Sequence, residues 1–137
     1  MSSKYVLGID TSNYTTSAAL YDLETGAVIH KRMLLPVSKG GRGLRQSDAV
    51  FHHVKQLTAL TEQLFSAAGA KCCPDAVGVS TAPRGEAGSY MPCFLAGASQ
   101  AKVLAQALDV PFCGCSHEQG HIAAAFWSAA RLAHVLH

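Results

Sequence analysis

The spacing of hydrophobic positions in this 137-residue chain switches from strand-like to helical and back. Residues 4–10, KYVLGID, make a short apolar run closed by Asp10, the pattern of a buried strand. Thr15–Tyr21 is small and apolar with β-formers at both ends, and predicts a second strand. Asp22–Gly26 carries turn chemistry, with Gly26 suited to a positive φ. Ala27–Leu35 predicts a third strand, which completes an antiparallel meander. The polar, glycine-rich stretch Pro36–Gln46 reads as a loop. Val50, Val54, Leu57, Leu60 (or Thr61), Leu64 and Ala68 then recur at helical spacing. Ser47 or Asp48 is placed to cap that helix, and Gly69 stands just past its end. Asp75–Thr81 predicts a fourth strand, Ala82–Pro92 a loop, and Cys93–Leu108 an alanine-rich, apolar second helix. Val110–Cys115 predicts a fifth strand. Ser116 opens a third helix reaching about residue 134, with Gln119 at capping-box distance.

The order β-β-β-α-β-α-β-α implies an α/β fold with a mixed five-stranded sheet and helices on both faces. The string matches the ribonuclease-H-like unit that actin-like proteins carry twice. Residues 1–137 are expected to form one such subdomain, without an internal boundary or repeats. With 49% hydrophobic and 15% charged residues, a folded core is expected rather than disorder. The formal net charge of +2 does not by itself announce a nucleic-acid binder. No apolar run reaches the roughly 20 residues that span a bilayer, and the N-terminus lacks a signal-peptide pattern. A cytoplasmic protein without membrane association is expected. Five cysteines, an odd number with no C-x-x-C pair, read as reduced structural thiols; Cys113 and Cys115 share one strand face.

Chemistry concentrates at the predicted strand ends. His117 and His121 lie one helical turn apart and can grip one ion, for which neutral imidazole suits zinc or iron. Glu118 lies between them. The same letters spell H-E-x-x-H, the signature of a zinc metalloprotease. Against that reading, residues 122–137 contain no Asp or Glu, and Ala124 stands where the longer protease motif needs glycine. Asp10, Thr11 and Ser12 close the first strand, where a carboxylate and hydroxyls meet phosphate and a metal in actin-like folds. Arg84, in the loop before the second helix, is placed for an anion contact or for a solvated pair with Glu86. Lys31, Arg32, Lys39, Arg42 and Arg45 fall in a stretch with no acidic residue, which suits a phosphate backbone or, for any one of these charges, a merely solvated loop.

Gly8-Ile9-Asp10-Thr11-Ser12, the helix around FHHVKQL and the segment DVPFCGCSHEQGH together resemble the tRNA threonylcarbamoyladenosine synthase family. That family was formerly called O-sialoglycoprotein endopeptidase or glycoprotease. The similarity extends to about Trp127. It implies the N-terminal half of an actin-like transferase, with the C-terminal half absent from this chain. It also implies a divalent metal, iron or zinc, held by His117 and His121. ATP or threonylcarbamoyl-adenylate would sit in the cleft between the halves, with Asp10 catalytic and Thr11 and Ser12 at the nucleotide. Asp10 and Thr11 are expected to face that cleft together. The isolated chain is expected to be inactive and to self-associate through apolar surface meant for a partner. The family pattern continues C-D-E-T, where this chain has Asn13-Tyr14-Thr15-Thr16, so the acidic pair is gone. That departure keeps open a non-catalytic scaffold that pairs with another actin-like protein.

Overall fold

A computed structural model describes residues 5–12, 14–36, 45–69, 73–82 and 92–117. The elements run β1 (Tyr5–Ser12), β2 (Thr15–Asp22), β3 (Val28–Leu34), α1 (Gln46–Ala68), β4 (Ala76–Ala82), α2 (Cys93–Leu108) and β5 (Phe112–Ser116). One five-stranded sheet has the order β3-β2-β1-β4-β5. The β1–β2 and β2–β3 pairs are antiparallel, while β4 pairs in parallel with both β1 and β5. The predicted meander with a parallel extension is therefore the observed sheet.

The turn after β2 is built as its residues dictate. The Asp22 carboxylate accepts from the amides of Glu24 and Thr25, and Gly26 has a φ of 76°. Alternate strand residues Leu7, Ile9, Ala18, Leu20, Val77 and Val79 point to one face. There they pack with Leu57, Leu60 and Leu64 of α1 and with Ala101 and Ala105 of α2 in one buried core. Both described helices thus cover the same face. The predicted third helix lies on residues outside the described ones, apart from its opening.

Two expectations change in detail. Helix α1 starts at Gln46, so Ser47 and Asp48 fall inside its first turn instead of capping it; Arg45 is the N-cap and makes no side-chain cap bond. The Asp48 charge then sits near the unsatisfied amides of that turn. The fifth strand runs through Ser116, where the sequence placed a helix start.

Helix α2 comes very close to β1. Thr11 is fully buried, donates to the Cys93 carbonyl at 2.9 Å and accepts from the Gly97 amide at 3.0 Å. These are the two groups a regular α-helix would join to each other. A Cβ on Gly97 would stand 2.9 Å from the Thr11 hydroxyl, so glycine is what admits this contact.

Candidate functional site

The opposite sheet face carries the titratable groups. Register brings Ser17, Asp10, Ser80 and Cys115 into one row across four strands. Ala19, Gly8, Gly78 and Cys113 form the row below. The small residues of this second row leave a groove of about 570 Å³, also lined by His30 and His117.

Asp10 is the centre of the upper row. Its Oδ2 accepts from the Ser80 hydroxyl at 2.9 Å and faces His117 Nδ1 at 2.6 Å. Its Oδ1 is buried and lacks a hydrogen-bond partner among the described residues. A buried carboxylate oxygen left in this state is costly unless something positive or a donor meets it. Because a carboxylate only accepts, His117 meets it through an Nδ1 proton, with Nε2 on the far side of the ring from Asp10.

Asp10 and His117, both named from sequence, are therefore brought together across 107 residues of chain. Thr11 is not with them. Neighbouring residues of an extended strand point to opposite faces, so Thr11 lies under α2 and shares no cleft with Asp10. Ser12 is buried and pairs with Thr15 at the β1–β2 hairpin. His121, Glu118, Arg84 and Glu86 lie outside the described residues. Of the basic stretch, Lys39 and Arg42 also lie outside. Lys31 and Arg32 alternate on β3 and face opposite sides, with Arg32 exposed opposite Ser17, and Arg45 is exposed at the start of α1.

Ser80 was missed by the sequence reading. Its signal was its position at the carboxyl end of a parallel strand, where α/β sheets place ligand contacts. Cys115 is also more than a packing residue. Burial, the neighbouring Cys113 thiol and the Asp10 carboxylate, in that order, push its thiol above the ordinary value. Cys113 itself is exposed. Among the described residues no group of three or more His, Cys, Asp or Glu side chains is arranged to hold an ion. No described helix is long and apolar enough to cross a membrane.

The fold and these residues define a class: an actin-like, ribonuclease-H-like α/β unit with a carboxylate–imidazole pair at its strand ends. The sequence profile of the TsaD family, tRNA N6-adenosine threonylcarbamoyltransferase, matches residues 36–135. A relative of that name from Neisseria meningitidis is 37% identical over 121 residues, covering 85% of this chain and 32% of its own length. Its counterpart from Chromobacterium violaceum is 35% identical over the same span, with 33% of its length covered. Among solved structures, YeaZ from Pseudomonas aeruginosa superimposes with a TM-score of 0.57 at 23% identity, over 82% of this chain and 44% of its own. This last likeness is one of fold. The chain belongs to the tRNA N6-adenosine threonylcarbamoyltransferase family. It spans about a third of the length of the curated relatives it matches.

Proposed function

We propose that this chain forms one wall of a metal-dependent transferase that places a threonylcarbamoyl group on an adenosine N6 of tRNA. His117 and His121 would hold a divalent ion, iron or zinc. The observation that carries the reading is the 2.6 Å contact between Asp10 and His117, with Ser80 on the same carboxylate oxygen.

The residues present fit a metal. A histidine ligand is normally oriented by a carboxylate on its other ring nitrogen, the relation Asp10 has to His117. The Asp10 charge, with Oδ1 unpartnered, would make the ring a more basic ligand at Nε2. When bound, the ion would polarise an acyl or phosphate oxygen as a Lewis acid. Asp10 would hold the Nδ1 proton and fix the ring. Ser80 would keep the carboxylate from turning away by donating to Oδ2. Cys115, kept protonated, would add no competing charge beside them.

This chain accounts for a third of its relatives' length. The reading therefore assigns ATP or threonylcarbamoyl-adenylate to a cleft between this half and a second, C-terminal one. Residues 1–137 alone would be inactive, since one wall cannot exclude water from a nucleotide. Of Lys31, Arg32, Lys39, Arg42 and Arg45, the described candidates for a tRNA phosphate contact are Lys31, Arg32 and Arg45.

The test is metal analysis of the purified chain beside tRNA modification by the two-half protein. Wild type should carry iron or zinc, and His117→Ala and His121→Ala should lose it. Asp10→Asn should weaken metal affinity by about 10–100-fold, the usual cost of losing an orienting carboxylate. Full metal occupancy in both histidine variants would remove the basis of the proposal. The second reading, a scaffold that keeps the ion without the reaction, is favoured by Tyr14 and Thr15 in place of the family's acidic pair. Metal retained with no tRNA modification by the two-half protein would select it.

A further inference from the structure

Strand β5 carries two thiols that the proposed histidine centre does not use. Cys113 and Cys115 alternate with Phe112, Gly114 and Ser116, so both project to the open face of the sheet. Cys113 stands beside Gly78 and Cys115 beside Ser80. Both are unbridged, and both line the groove over the glycine floor. Cys113 is exposed and Cys115 part-buried. An exposed thiol fills no core, so packing does not account for Cys113. Its neighbour across the sheet is a glycine, so no β4 side chain stands over it. Strand residues two apart have Cα atoms about 6.6 Å apart and nearly parallel Cβ directions. That separation is at the far end of what a disulfide spans, and parallel Cβ directions hold the sulfurs apart. An ion held between two sulfurs needs only about 4.6 Å from one to the other, twice a metal–sulfur bond of about 2.3 Å. Thiols that lean towards each other reach that separation without moving the backbone. Cys113 already leans so: its sulfur lies 3.9 Å from the Gly114 carbonyl oxygen, in the peptide that leads to Cys115.

We propose that Cys113 and Cys115 form a two-thiolate site for copper(I), separate from the His117–His121 centre. The choice of ion follows from the number and kind of donors. Thiolates are soft ligands and select copper(I) or zinc. Zinc in a structural site takes four ligands, whereas among the described residues no third His, Cys, Asp or Glu joins these two. Copper(I), a closed-shell monovalent ion, is satisfied by two thiolates in line. On binding, the ion displaces both thiol protons to solvent and two Cu–S bonds form, with no electron transferred. The pair thereby passes from neutral to a single negative charge. Asp10 opposes that change weakly, because its Oδ2 is already turned to the Ser80 hydroxyl and His117 Nδ1. Cys113 lies one row further from Asp10 and leaves part of the charge in water. The groove of about 570 Å³ gives a small thiol carrier of copper room to approach.

Titration of the reduced chain with copper(I), without oxygen and in competition with bicinchoninate, tests this. Wild type should take up one ion per chain, show thiolate-to-copper absorption in the ultraviolet and hold the ion against the chelator. Cys113→Ser and Cys115→Ser should each lose that ion while their circular dichroism stays as in wild type. Cys72→Ser/Cys73→Ser and His117→Ala should keep it, and excess zinc should not displace it. A wild-type chain stripped by bicinchoninate overturns the proposal. So does copper binding at wild-type strength in either Cys113→Ser or Cys115→Ser. Loss of copper in Cys72→Ser/Cys73→Ser assigns the ion to that other pair, and loss in His117→Ala assigns it to the histidine centre. Either result overturns the separate site. Displacement by zinc overturns the choice of copper(I).

Discussion

Asp10 shows how much one residue can draw together. Its role was legible because a strand that ends in a carboxylate puts that group at the sheet's open end. His117 was legible from its spacing to His121. Ser80 was not, since Ser-Thr-Ala at a strand end has no periodic or compositional signature. Cys115 read as a buried small hydrophobe, yet it shares the Asp10 row. Its raised thiol gives a sign that can be checked. A thiol whose folded value lies above its unfolded one binds protons more tightly in the native state. The chain should therefore lose stability as pH rises through the thiol range, and keep that contribution below it. Urea unfolding at neutral and alkaline pH reads the trend. At a fixed pH just below that range, iodoacetamide should modify Cys115 more slowly than exposed Cys113. Asp10→Asn should speed the Cys115 reaction, because it removes a negative charge that holds the thiol up.

Among the elements, strand and helix order followed directly from periodicity, and boundaries moved by only a few residues. The face that α1 buries was less legible. Val54 looked like a core position, but the helix is turned so that His53 goes inside and Val54 outside. The cause is polar: the buried His53 ring meets the Thr16 hydroxyl at 2.8 Å, and Gln56 accepts from that hydroxyl at 3.1 Å. Hydrophobic spacing cannot anticipate a histidine that is buried because it has a partner. The α2–β1 contact makes a second prediction. Gly97→Ala pushes a methyl into the Thr11 hydroxyl and the Ile9 side chain. Between fixed backbones this should cost about 1–3 kcal/mol in chemical denaturation. Thr11→Val keeps the volume but loses both hydrogen bonds, and should also cost about 1–3 kcal/mol. Equal stability in either variant would show that α2 can lift from the sheet freely.

For the whole molecule, one strand holds the arrangement together. β1 is antiparallel to β2 and parallel to β4, so it joins a local hairpin to a distant crossover. The meander closes over short turns. The Asp10 contacts close over 70 residues to Ser80 and over 107 to His117. Loop closure of that length must be paid before any contact returns energy, which makes such pairings late. The acid–imidazole pair is therefore among the last parts of the described chain to form during synthesis. A ribosome that has released the first four strands has not yet supplied His117, so Asp10 cannot meet its imidazole until Phe112–Ser116 has docked. Timing alone thus keeps a half-made chain from joining this acid–imidazole corner early.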